Sequence, residues 1–137
     1  MKLSKEKQEK LLKQALEDFE MIRRYKDKVL RRKVRTRAKI KRFTDRPRLV
    51  VFRSVKHIYG QVIDKKGKVL VAASEKDLKG SVKGKTKTQK AHLVGQSLAQ
   101  KALKKKIKKV VLDRGGFRYH GRIKAFAEGS RKEGLEF

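Results

Sequence analysis

Two short stretches concentrate the side chains able to do chemistry in this sequence. Arg53, Ser54, Lys56, His57, Tyr59 and Gln61 fall within nine residues, and Asp113 is followed by Arg114, Gly115, Gly116, Phe117, Arg118, Tyr119, His120, Gly121 and Arg122. The sugar-phosphate chain of RNA needs cations for phosphate oxygens, small hydroxyl or amide groups for the 2′-OH, and flat rings for unstacked bases. Residues 53–61 offer all three. In residues 113–122 the paired glycines let backbone N–H groups approach a phosphate, and the N-terminus of a following helix would add partial positive charge. Plainer readings stand beside these: a hairpin with a buried tyrosine for the first stretch, and a glycine-rich turn with solvated arginines and Tyr119 over the core for the second.

Catalytic equipment is otherwise missing from the sequence. There is no Walker sequence, no helical zinc-ligand pair and no nucleophile signature around Ser54, Ser74, Ser81, Ser97 or Ser130. His57, His92 and His120 are far apart, and His92 borders an apolar helix face, where a packing or surface role is the expectation. With no Cys, disulfides and thiolate sites are excluded, which fits a reducing compartment. The reading is a non-enzyme with no catalytic residues, metal, cofactor or small-molecule substrate.

Charge points the same way. Lys and Arg number 42 against 14 acids, a formal charge of +28, so the natural partner is a polyanion whose phosphates relieve the chain's self-repulsion. No apolar run approaches the roughly 18 residues of a membrane span, and no membrane partner is expected. Glu6, Glu9, Glu17, Asp18 and Glu20 are unlike an organellar transit peptide, so the expected address is cytoplasmic.

The elements that must position the two stretches follow from hydrophobic spacing. In residues 1–22, Leu12, Leu16, Phe19 and Ile22 recur at three and four, the stripe of an amphipathic helical extension. Residues 23–46 form a basic arm: Arg23, Arg24, Lys26, Lys28, Arg31, Arg32, Lys33, Arg35, Arg37, Lys39, Lys41, Arg42 and Arg46, relieved by Asp27 and Asp45 and continued by Arg48. A like-charge block of this kind is expected to order on its partner. Residues 47–137 read as one globular domain. Pro47, the single proline, holds the entry to a first strand extended. Residues 49–54, 57–64 and 68–74 predict a three-stranded antiparallel meander, with Tyr59 and Gln61 on one face of the second strand and Ile58 and Val62 on the other. A mobile loop is expected over 75–87, holding Gly80 and Gly84.

Thr86 or Thr88 could cap a helix running to about Lys105, with Ala91, Val94, Leu98 and Ala102 inward and Gly95 allowing close approach to the sheet. Residues 107–112 predict a buried fourth strand, parallel to its neighbour because a helical crossover precedes it. A last helix over 122–133 turns Ile123, Phe126 and Ala127 inward and ends at Gly134, leaving Leu135 and Phe137 to pack back. Lys104, Lys105, Lys106, Lys108 and Lys109 suit a helix C-terminus. The expected fold class is α/β: a single small domain of βββαβα order, a mixed sheet with helices, preceded by the basic arm and the N-terminal helix.

Several of these motifs occur together in one family. Arg46-Pro47-Arg48-Leu49, Val51-Phe52-Arg53-Ser54 with His57-Ile58-Tyr59, Val111-Leu112-Asp113-Arg114-Gly115-Gly116-Phe117 with Tyr119-His120-Gly121-Arg122, and the terminal Gly134-Leu135-Glu136-Phe137 resemble, in order, motifs of the bacterial-type large-subunit ribosomal protein L18 family. The resemblance runs from about Arg23 to Phe137 and leaves residues 1–22 unmatched. It departs at residues 41–45, where the family usually has a glycine-containing turn. The resemblance implies a structural protein of the ribosome's central protuberance that binds 5S rRNA and helps attach it to the large-subunit rRNA beside neighbouring ribosomal proteins. RNA-facing residues would be Arg31, Arg32, Lys33, Arg35, Arg37, Lys39, Lys41, Arg42, Arg46 and Arg48 of the arm, with Arg53, Ser54, Lys56, His57, Tyr59, Gln61, Arg114, Gly115, Gly116, Phe117, Tyr119, His120, Gly121 and Arg122. The rival reading is a free-standing, non-specific RNA-binding protein or RNA chaperone.

Overall fold

The computed structural model describes residues 4–23 and 28–137, the side chains of 18–23 excepted. Phe19 and Ile22, expected on the N-terminal stripe, therefore lie outside the described side chains, and Arg24, Lys26 and Asp27 outside the described residues. Two helices come first, α1 (Lys5–Arg23) and α2 (Lys28–Phe43). The β-branched and aromatic runs then form β1 (Arg48–Arg53), β2 (Ile58–Ile63) and β3 (Val69–Ser74), paired antiparallel as a meander. Side chains stiff at χ1 suit that pleated surface. Helix α3 (Lys87–Lys104) crosses back, β4 (Val111–Asp113) adds parallel to β1, and α4 (Arg122–Lys132) closes a βββαβα domain of sheet order β3-β2-β1-β4.

Alternation along the strands sorts the sheet into two faces. Leu49, Val51, Ile58, Val62, Val71 and Ala73 are buried against Ala91, Val94, Leu98 and Ala102 of α3 and Ile123 and Phe126 of α4. Thr86 caps α3: its hydroxyl accepts the Gln89 N–H at 3.3 Å, and the Gln89 side chain accepts the Thr86 N–H at 3.0 Å. At the far end Leu135 is buried and Phe137 packs against the core.

Small residues bring the two helices together. A Cβ on Gly95 would stand 2.2 Å from the Phe126 carbonyl oxygen, and one on Gly129 would stand 2.2 Å from that of His92. Buried Ser130 donates its hydroxyl to both Gly95 O, at 3.1 Å, and Phe126 O, at 3.0 Å. Gly95 thus serves the helix–helix contact and not the helix–sheet contact expected of it. The glycine that seats the helical layer on the sheet is Gly60, where a Cβ would lie 2.4 Å from the Phe126 ring.

Two further expectations are corrected, and the basic arm, whose form the sequence left open, acquires one. The fourth strand begins at Val111 and not at residue 107, because its parallel ladder starts where β1 starts: the Val111 N–H donates to Pro47 O at 3.0 Å, and the chain before Pro47 turns away to α2. Residues 108–110 pair instead with the C-terminal segment, through Val110 N–H to Glu136 O and Glu136 N–H to Lys108 O. The stretch expected as a loop carries a 3₁₀ helix, Glu75–Val82, whose start is held by Asp77 accepting the Ser74 N–H at 2.8 Å and the Lys101 ammonium at 3.1 Å. The basic arm is helical over Lys28–Phe43. Leu30, Lys33, Thr36, Arg37 and Ile40 are its half-buried positions, spaced for one helix face.

Filling the glycine contact should be felt directly. Gly129→Ala is expected to lower the unfolding free energy by about 1–3 kcal/mol in urea titrations, whereas Gly80→Ala, with open space around it, should stay within about 0.5 kcal/mol of the parent. A second expectation concerns acid. The Ser74 N–H, and after it the Lys101 ammonium, hold the Asp77 carboxyl below the usual carboxylate range. Its contribution is therefore complete above the unfolded value of about 3.9 and is lost as pH falls through the folded one. Because the side chain is 40% exposed, Asp77→Ala should cost only about 0.5 kcal/mol near neutrality, and the gap in thermal unfolding should narrow as pH drops toward about 2.5.

Candidate nucleic-acid interface

The sheet face turned away from α3 and α4 carries the candidate site, and a buried carboxylate organises it. Asp113, the last residue of β4, is 0% exposed. Its Oδ2 accepts from Arg48 Nη1 at 2.9 Å and from Arg37 Nε at 3.3 Å, while Oδ1 accepts the Gly115 N–H at 3.0 Å. One acid thereby joins α2, the start of β1 and the turn after β4. Such a charge is tolerable in the interior because its lone pairs are satisfied by charge-assisted bonds.

The turn brings α2 close. Gly115 takes φ +58, a conformation that favours glycine, and its carbonyl accepts the Thr36 hydroxyl at 3.3 Å. A Cβ on Gly116 would lie 2.3 Å from the Val29 carbonyl oxygen, so only glycine lets the first turn of α2 sit there. Arg32 and Arg35 of α2 then meet Arg114 and Arg118 of the turn around a notch also lined by Thr36, Gly115, Gly116 and Phe117. Among the described residues, no carboxylate lines it. Guanidiniums beside a glycine turn are the kind of donors that phosphate oxygens can accept from.

The two stretches read from the sequence merge into this one face. Phe52 and Tyr59, directly paired across β1 and β2, have ring centroids 4.9 Å apart, and Phe117 meets Phe52 edge-on at 6.4 Å. The Arg53 guanidinium lies 5.1 Å from the Phe117 ring centroid, and Arg122 Nη1 donates to Ser54 O at 3.0 Å. Tyr59 is exposed and Gln61 half-buried, while Ile58 and Val62 are buried beneath them, as the alternation predicted. The plainer reading of a buried hairpin tyrosine is thereby set aside.

Other expected site residues have local employment. The Ser54 hydroxyl closes the hairpin by accepting the His57 N–H at 3.0 Å, and His57 Nδ1 sits 3.0 Å from Glu75, which also accepts the Ile58 N–H at 3.3 Å. Lys56 is exposed at the hairpin tip, beside Val55, whose carbonyl accepts from Lys87 Nζ at 2.9 Å. Tyr119 Oη accepts from Arg131 Nη1 at 3.1 Å, toward the α4 side, and His120 and Gly121 are exposed just before α4. Arg31, Lys39 and Arg42 are exposed along α2, and Lys41 and Arg46 line a depression with Lys65 and Lys66. At the departure from the family pattern, the chain turns by Thr44 accepting the Arg46 N–H at 3.2 Å and by an Asp45–Lys65 ion pair that holds the Asp45 carboxyl below its usual range.

Sequence reasoning missed Phe52 and the place of Asp113. Pairing of Asp113 with an arginine 76 positions away leaves no local trace, whereas Phe52 lies beside Arg53 on a strand paired with that of Tyr59. Removing the acid should release the helix: Asp113→Ala is expected to lower stability by about 2–4 kcal/mol, less than a wholly buried pair because Arg37 is 38% exposed. Amide hydrogen exchange in α2 should rise more than in β2; equal changes would show that the clamp does not hold α2 specifically.

Comparison with known proteins follows from this geometry. The family described as "Ribosomal L18 of archaea, bacteria, mitoch. and chloroplast" matches residues 23–137. The chain is 58% identical over 108 residues to the large ribosomal subunit protein uL18 of Thermus thermophilus, covering 78% of this chain and 93% of that protein. It is 56% identical, again over 108 residues, to the protein of that name from Clostridium botulinum strain Langeland, covering 78% and 90%. Among the described residues no helix is long and apolar enough to cross a membrane.

Proposed function

The chain belongs to the ribosomal L18 family, and from that premise we propose that it binds 5S rRNA and helps attach it to the large-subunit rRNA. Its role is that of a structural, non-enzymatic component of the large ribosomal subunit. The observation that carries the finer reading is the notch of Arg32, Arg35, Arg114 and Arg118. It sits at one end of a face where Arg53 and the Phe52, Tyr59 and Phe117 rings are already fixed by packing. Folded RNA is recognised largely by shape, through phosphate and sugar contacts from preset positions, with rings available for unstacked bases.

Placement within the domain assigns each part a contribution. Residues 28–46 bring cations along one wall, and the globular domain supplies the rings and the glycine turn. Neighbouring large-subunit proteins are further partners in this reading. The free-standing RNA chaperone remains the rival, and it predicts binding that follows charge alone.

Competition separates the two. At about 0.15 M salt, unlabelled 5S rRNA should displace labelled 5S rRNA far better than transfer RNA does; equal displacement would leave only charge-driven binding. Replacing Arg32, Arg35, Arg114 and Arg118 together by Ala should flatten the log–log salt dependence by roughly 2–4 units, in proportion to the phosphates released. An unchanged slope would take the notch out of the interface. Circular dichroism of the same samples checks that the fold persists.

A further inference from the structure

Between α2 and the sheet runs a groove whose lining suits something other than phosphate. Its floor is the outer face of β1 and β2, with Val50, Phe52, Tyr59 and Gln61; Phe117 closes one end, and Leu30 belongs to the opposite wall. Phe52 and Tyr59 remain 43% and 40% exposed although they stack on each other, so ring surface is left available inside the groove. The Gln61 carboxamide, half-buried there, has no hydrogen-bond partner among the described residues. Lys33 and Arg37 stand on the rim, and Arg53 lies over Phe117.

We propose that this groove receives one unstacked nucleobase of the bound RNA, stacked on the Phe52–Tyr59 pair and hydrogen-bonded at its edge by Gln61. Ring faces are sequence-tolerant platforms for bases, and a carboxamide supplies both a donor and an acceptor to a base edge. An apolar protein segment would fill the ring surface but would leave the carboxamide unpaired and the cationic rim facing the wrong charge. Continuity decides for a nucleotide: Gly115, Gly116 and Phe117 line both this groove and the arginine notch, so a phosphate held in the notch places its neighbouring base at the groove mouth. Asp113 matters here because it fixes Arg37, and with it the α2 wall, at the width the groove now has.

The proposal rests on the RNA-binding reading above, and its test keeps the two apart. The chain contains no Trp, so Tyr59→Trp introduces a single indole reporter at an exposed position. Saturation with 5S rRNA, followed independently by anisotropy of the labelled RNA, should quench that indole, whereas a fully paired RNA duplex of equal length, though bound, should leave it bright. In the parent background, Phe52→Leu keeps an apolar wall but removes the ring, and should raise the 5S rRNA dissociation constant roughly 5- to 150-fold with the salt slope unchanged. A bright indole on saturated 5S rRNA, or equal quenching by the duplex, would overturn the base slot while leaving the 5S assignment intact. Loss of preference for 5S rRNA over transfer RNA, with quenching by single-stranded oligouridine retained, would overturn the assigned RNA and leave the slot standing.

Discussion

Asp113 is the constraint on which the outer face depends. It is the only fully buried ionisable group among the described residues, in a chain of formal charge +28. Helix α2 is strongly basic, so charge alone would push it off a domain of the same sign. Arg37 of α2 and Arg48 of β1 meet on one carboxylate, which offsets that repulsion beside the Thr36–Gly115 and Val29–Gly116 contacts, and the Gly115 N–H completes the acceptor. From this point the groove, the arginine notch and the direction of α2 all follow. Arg37 and Arg48 therefore carry a structural task before any task toward RNA, which separates them from the exposed cations of the same helix.

The opposite layer is governed by steric fit. Glycine and alanine line the α3–α4 contact, and Gly60 admits the Phe126 ring to the sheet, so the helical layer lies close on a core of few large side chains. Close packing there leaves Phe52 and Tyr59 of the outer face partly exposed. Several cations also serve the fold: Lys101 and Lys105 donate to the carbonyls of Ala72 and Leu70 at the β3 edge, and Arg131 gathers Tyr119 and Phe137. Charge count alone thus overstates how many basic groups are available to a polyanion.

Helix α1 differs from α2 in its charge. Lys5, Lys7, Lys10, Lys13 and Arg23 balance Glu6, Glu9, Glu17, Asp18 and Glu20, so this segment adds nothing to the net charge of the chain. Leu11, Leu12 and Leu16 are more than half exposed on it, and it precedes the residues shared with the ribosomal family. Its composition separates it from the basic helix that follows, and the family match at residue 23 coincides with that change.

Periodicity and turn chemistry by themselves determined the βββαβα order, a threonine cap on α3 at Thr86 or Thr88, the inward positions of α3 and α4, and the polar face of β2, because these are set within a few residues by alternation, helical spacing and the freedom or restriction of Gly and Pro. The residues of both stretches, and the resemblance built on them, were equally legible. Tertiary structure alone decided where β4 begins, which surface Gly95 serves, and that the basic arm is a helix seated by Asp113. Each of these depends on a partner far away in the chain: the strand begins where Pro47 lets its neighbour begin, the glycine matches a carbonyl on another helix, and the arm is held by an acid 76 positions on. Local spacing did contain the stripe of Leu30, Lys33, Arg37 and Ile40, but two of those four positions are cations, which read as solvated until a buried carboxylate is known to face Arg37.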